Sequence, residues 1–137
     1  MASNARIAAD LERIADLLEL TDANPFRVRA YRNAARTVQD ADRPLATLVE
    51  EGTDLRELPH VGKDIAAQIA RKIEGQEMEP LTELAGEVPA GLLEVVRVPG
   101  VGPKKARALW RELDVDGLDA LEREARAGRI AALKGFG

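Results

Sequence analysis

The 137-residue chain has no cysteine and a single histidine, His60. Disulfides, cysteine zinc sites and sites built from several histidines are therefore excluded. No apolar run approaches the ~20 residues needed to span a bilayer, so no membrane association is expected. Familiar catalytic sets are missing as well. There is no serine–histidine–aspartate combination, no Gly-Lys-Ser phosphate loop, and no spaced aspartates that would hold catalytic magnesium. The start, Met1-Ala2-Ser3-Asn4, has neither a basic leader nor an apolar stretch. We expect a cytoplasmic protein on that ground, and a nuclear one fits the same observation.

What is present is charge, unevenly placed. The net charge is −4 and the pI about 5.1, which at face value argues against an anionic partner. Yet residues 25–43 carry five arginines against Asp40 and Asp42, and residues 97–111 carry five basic residues and no acid. Residues 76–96 hold five acids and no base. Because salt screens fields beyond roughly 10 Å, such segregation matters more than the total.

Almost every segment has helical periodicity, and no convincing alternating stretch exists. Ile7, Leu11, Ile14 and Leu18 form one apolar stripe behind Ser3 or Asn4 as the cap. Asn24-Pro25 opens a second helix whose buried face is Val28, Tyr31, Ala35 and Val38. Pro44 to Glu51 is a short helix closed by Gly52, and Thr53 caps a brief turn up to Leu58. A helix from Lys63 to Glu74 ends at Gly75, and residues 76–89 hold a short helix and a connection. Leu92, Leu93 and Val96 lie on the next helix. Pro103 starts one carrying Ala106, Leu109, Trp110 and Leu113 inward. A further helix spans Asp116 to Ala127, then a turn from Arg129 to Lys134. Trp110 and Phe136 read as core. The expected fold is all-α, in two small helical subdomains, residues 1–83 and 84–137, divided at the Pro-Gly breaks near 84–90.

One short phrase occurs twice, 40 positions apart: Leu58-Pro59-His60-Val61-Gly62 and Val98-Pro99-Gly100-Val101-Gly102. Each precedes a helical run and forms a hairpin between two helices. The second helix's first N–H groups then lack intrahelical partners and carry partial positive charge, which suits a phosphate. Two copies point to a module that holds a nucleic-acid backbone. The second copy is the cleaner, since Gly100 and Gly102 permit close backbone approach and Lys104, Lys105 and Arg107 follow. In the first, His60 replaces a glycine and Asp64 places an acid beside the anion site. Arg27, Arg29, Arg32 and Arg36 surround Tyr31 on the second helix and favour bidentate phosphate contacts.

Arg29-Ala30-Tyr31-Arg32-Asn33-Ala34-Ala35, followed by the two hairpin phrases in this order, resembles the family X DNA polymerases, bacterial members above all. The resemblance covers essentially the whole chain and corresponds to the family's N-terminal 8-kDa-like domain and the fingers (or thumb) subdomain after it, each with one helix–hairpin–helix motif. It implies binding of gapped or nicked DNA, as a monomer and without sequence preference, within a repair polymerase acting in base excision repair. It implies a 5′-phosphate pocket at Arg27, Tyr31 and Arg56, with DNA contacts from Arg29, Arg32, His60, Gly62, Lys63 and Lys72. Gly100, Gly102, Lys104 and Lys105 would hold the other strand. It further implies a monovalent cation, K+ or Na+, at each hairpin. The carbonyls of Arg56, Leu58 and Val61 would hold one, and those of Val96, Val98 and Val101 the other.

Two departures from the family pattern bear on activity. Its Schiff-base lysine, which removes 5′-deoxyribose phosphate, falls at Gln68, and a phosphate-binding lysine falls at Asp64. Lys72, one turn beyond Gln68, is the substitute to test, and we expect lyase activity to be absent or vestigial. The chain also ends before the palm domain, where the family's magnesium-binding aspartates lie, so by itself it is not expected to polymerise. Two rival readings remain: a fragment with residual lyase activity, and a protein-interaction module using the acidic surface of residues 76–96 and 112–124.

Overall fold

Ser3 opens the first helix: its hydroxyl accepts from the Arg6 amide at 3.1 Å in the computed structural model, which describes residues 2–21, 23–133 and 135. That helix, α1 (Asn4–Leu20), turns nine residues inward. Asn4, the other candidate cap, serves a neighbour instead. Its side chain accepts from the Leu45 amide and donates to the Arg43 carbonyl, both at 2.9 Å, which pins the start of α3 (Leu45–Glu50). Between them runs α2 (Pro25–Asp40), with the Asn24 side chain accepting from the Phe26 amide at 2.8 Å and Pro25 in the first turn.

The turn before the first hairpin corrects one expectation. Asp54, not Thr53, caps the single 3-10 turn Leu55–Glu57, because its carboxylate meets both the amide and the guanidinium of Arg56. Next come α4 (Lys63–Ile73), α5 (Glu79–Ala85), α6 (Leu92–Val96), α7 (Gly102–Leu113) and α8 (Leu118–Arg126). The last begins two residues later than the sequence suggests, behind an extended Gly117. Among the described residues there is no strand. The turn after α8 includes Leu133, whereas Lys134 and Phe136, expected at its end and in the core, lie outside the described residues.

Two apolar clusters hold these elements. The first joins Ile7, Leu11, Ile14 and Leu18 of α1 to Tyr31 and Val38 of α2, Ile65 and Ile69 of α4, and Met78. The second gathers Leu92 and Val95 of α6, Ala106 and Leu109 of α7, Val115 and Ala120. Trp110 and Leu113 pack on it only partly buried, a shallower position than their stripe suggests. The clusters share scaffolding: Leu17 and Leu20 of α1 belong to the second, and Leu81 and Leu84 of α5 pack against both. A helix stripe of Ile7, Leu11, Ile14 and Leu18 leaves Leu17 and Leu20 on an adjoining face, so one helix serves two cores.

Candidate nucleic-acid interface

The repeated phrase is repeated in its hydrogen bonds. The Leu58 amide donates to the Leu55 carbonyl and the Val61 amide to Leu58; 40 positions on, Val98 donates to Val95 and Val101 to Val98. The turn needs one residue with positive φ, and His60 (63°) and Gly100 (86°) supply it. Histidine in this left-handed region is uncommon and strained; glycine is not. The hairpins then diverge, Gly62 being extended (φ −87°) and Gly102 left-handed (φ 71°).

No side chain caps either helix that follows. Gly62, Lys63, Lys104 and Lys105 are exposed, and Gly102 is half-buried. The Asp64 carboxylate is exposed in the first turn of α4 without capping it. The first hairpin is tied to α2 by the Thr37 hydroxyl, which donates to the Pro59 carbonyl at 2.8 Å. In the second, the Lys105 ammonium donates to the Gly100 carbonyl at 3.2 Å.

Beside the first hairpin lies a cleft of about 580 Å³ that brings Arg27, Tyr31, His60, Gly62 and Lys63 together. The Arg27 guanidinium sits 6.0 Å from the Tyr31 ring centre. Burial raises the Tyr31 phenol above its usual range, against the lowering effect of Arg27, so it stays a neutral hydrogen-bonding group. Gln68, at the family's lysine position, also lines this cleft, but its side chain accepts from the Glu79 amide at 2.8 Å and so closes the start of α5. Asp64, Glu79 and Glu83 share the walls, so among the described residues Arg27 and Lys63 face three carboxylates.

Three of the sequence-derived contacts have other commitments. Arg56 does not line this cleft: its guanidinium lies on Asp54 at 2.8 Å, which holds that carboxyl down to about 2. Arg32 bridges Glu12 and Glu19, both at 2.7 Å, and Asp16 at 3.1 Å, and thereby clamps α2 to α1. Lys72 is nearly buried, with its ammonium 3.0 Å from Asp10 and 3.5 Å from Glu77, away from the cleft. A long cation beside interior carboxylates pairs with them before it reaches for solvent anions.

A larger cleft, about 720 Å³, opens between the start of α2 and the face of α7. Arg29 and Lys104 meet here, together with Arg107 and Arg111. The last two are absent from the sequence-derived contact set, although both belong to the acid-free run 97–111. Phe26 was missed too: 74% exposed, it stands on the first turn of α2, and Arg29 lies 5.4 Å from its ring centre. Among the described residues no group of three histidine, aspartate or glutamate side chains is placed to hold a metal ion. The hairpin carbonyls are of the right chemistry for a monovalent cation. Those of Leu58 and Val98 each accept one amide, which leaves a second lone pair.

Comparison with known proteins agrees with this geometry. Residues 92–137 match the SAM-like helix-hairpin-helix tandem. The chain is 35% identical over 127 residues, 93% of its length, to the N-terminal part of "DNA polymerase/3'-5' exonuclease PolX" of Bacillus subtilis (strain 168). It spans 22% of the length of that relative. Residues 2–78, more than half of the 137, match the helix-hairpin-helix domain, and the chain belongs to that family.

Proposed function

We propose that this chain binds DNA by its backbone, without reading sequence, as the gripping front of a family X repair polymerase. The observation that carries the proposal is the pair of matched hairpins, each leading into a helix whose first amides have no side-chain cap. Such amides take phosphate oxygens, and phosphate contacts position a protein without specifying bases. The Arg27–Tyr31 cleft would hold the 5′-phosphate end of a gap or nick, and the second hairpin with Lys104 and Lys105 the opposite side of the break. Phe26 offers an exposed ring for a base to stack on. A monovalent cation on the carbonyls of Arg56, Leu58 and Val61, or of Val96, Val98 and Val101, would add positive charge beneath the bound phosphate. Chemistry on the sugar is not part of the proposal. Gln68 has no nucleophile, and Lys72 is bound to two carboxylates.

Fluorescence anisotropy of a labelled gapped duplex, titrated at increasing salt, tests this reading. Affinity should fall steeply and linearly on logarithmic axes as counterions are released. Arg27→Ala should cost more on DNA bearing a 5′-phosphate than on DNA lacking it, and Lys104→Ala should cost the same on both. No binding at about 50 mM salt overturns the proposal.

A further inference from the structure

The cleft between α2 and α7 has no counterpart in the contacts assigned above. Among the described residues, five cations line it against two carboxylates, Glu19 and Glu112. Glu19 is already paired with Arg32 at 2.7 Å, which leaves Arg29, Lys104, Arg107 and Arg111 facing Glu112. Pro25, Val28 and Ala108 contribute an apolar floor beneath this cationic rim. The site therefore suits a polyanion that also has flat apolar groups to bury. A duplex does not: its phosphates face outward and its bases inward, which would leave the floor uncovered. An unpaired strand presents both at once, and clefts for single strands combine a basic rim with surfaces on which bases rest. Arginine planes serve that purpose, as Arg29 against Phe26 (5.4 Å) and Arg111 against Trp110 (5.9 Å) already lie flat on rings.

Position favours the same occupant. The first turns of α2 carry Arg27 into the 5′-phosphate cleft and Pro25 and Arg29 into this one. A strand leaving the first cleft crosses only the start of α2 to enter the second. We propose that the α2–α7 cleft holds the unpaired strand of a DNA gap, its phosphates on Arg29, Lys104 and Arg111 and its bases against Pro25, Val28 and Ala108. The proposal rests on the DNA-binding reading above.

Three labelled probes test it by anisotropy: a nicked duplex, a duplex with a gap of about five nucleotides, and an oligothymidylate strand. Arg29→Ala combined with Arg111→Ala should weaken the gapped duplex and the single strand about ten-fold and the nicked duplex less than about two-fold. Lysine at both positions should recover much of the loss, and both side chains are exposed, so the thermal midpoint should hold. Equal losses on nicked and gapped DNA, or none on gapped DNA, overturn the proposal. So does displacement of the single strand by free thymidine triphosphate, which would make the cleft a nucleotide pocket. If the unsubstituted chain binds no probe, the general DNA-binding reading has failed and this one falls with it; retained duplex binding separates the two failures.

Discussion

Lys72 on α4 and Asp10 on α1 form an ion pair of 3.0 Å inside the first cluster, with Glu77 at 3.5 Å from the same ammonium. The hydrogen bond to Asp10 raises the lysine pKa above its ordinary 10.5 and outweighs the cost of desolvation. An amine held in that way is protonated near neutrality and is not a nucleophile.

Two measurements follow from this pair. Lys72→Ala leaves Asp10 buried without its cation and should destabilise the chain by about 3 kcal/mol in urea titrations, whereas Lys72→Met with Asp10→Leu should recover most of that. The pH dependence has a defined sign. Because the folded pKa is raised, the pair's stabilisation is fully present below about 10.5 and is lost as pH climbs through the higher folded value. Borohydride should trap no covalent adduct of the unsubstituted chain on an incised abasic site. A trapped adduct that Lys72→Ala abolishes would show that the buried pair opens.

His60 and Gly100 hold the same turn position at φ of 63° and 86°. The left-handed region costs an L-residue roughly 1–2 kcal/mol, partly offset by glycine's greater freedom when unfolded. His60→Gly should therefore raise stability by up to about 1 kcal/mol, while Gly100→Ala should lower it by about the same amount. Thermal unfolding of both variants checks the pair, and two changes of the same sign would contradict it.

Much of this molecule is legible in its sequence because helical signals are local. Ser3, Asn24-Pro25 and the stripe Ile7–Leu18 mark α1 and α2 by capping and periodicity, and the Pro-x-Val-Gly repeat marks both hairpins. What stayed hidden depends on residues far apart in the chain. Nothing near Arg32 in sequence reveals Glu12, Asp16 and Glu19, which lie on another helix; nothing near Lys72 reveals Asp10. Arg29 and Arg111 are 82 positions apart, and only the docking of α7 on α1 brings them to one cleft. A charge run shows that cations are present, not which of them the fold consumes internally.

Arg32 joins three carboxylates that repel one another, so its loss should be felt more than that of a surface arginine. Asp16 behaves differently. Burial raises its pKa above 3.8 despite Arg32 beside it, so at neutral pH its charge is on balance a liability. Asp16→Asn should leave stability unchanged or slightly higher at pH 7, and Arg32→Ala should lower it by about 1–2 kcal/mol. The sign follows from linkage. A raised acid pKa means the folded chain binds more protons, so the difference between wild type and Asp16→Asn should grow as pH rises from about 3.8 through the folded value.

Gly91 sits where α6 approaches the start of α8. A methyl group placed there would lie 2.8 Å from the Asp116 carbonyl oxygen and 3.1 Å from the Gly117 α-carbon. Both are backbone atoms, which cannot swing aside as a flexible side chain would. Gly91→Ala should cost about 1–3 kcal/mol by overpacking, in contrast to Gly86→Ala, where nothing lies within 4 Å. The damage should concentrate in the second cluster. Hydrogen exchange should therefore quicken for α6 and α8 before it does for α2 and α4, and uniform quickening across the chain would mean that the two clusters unfold as one unit.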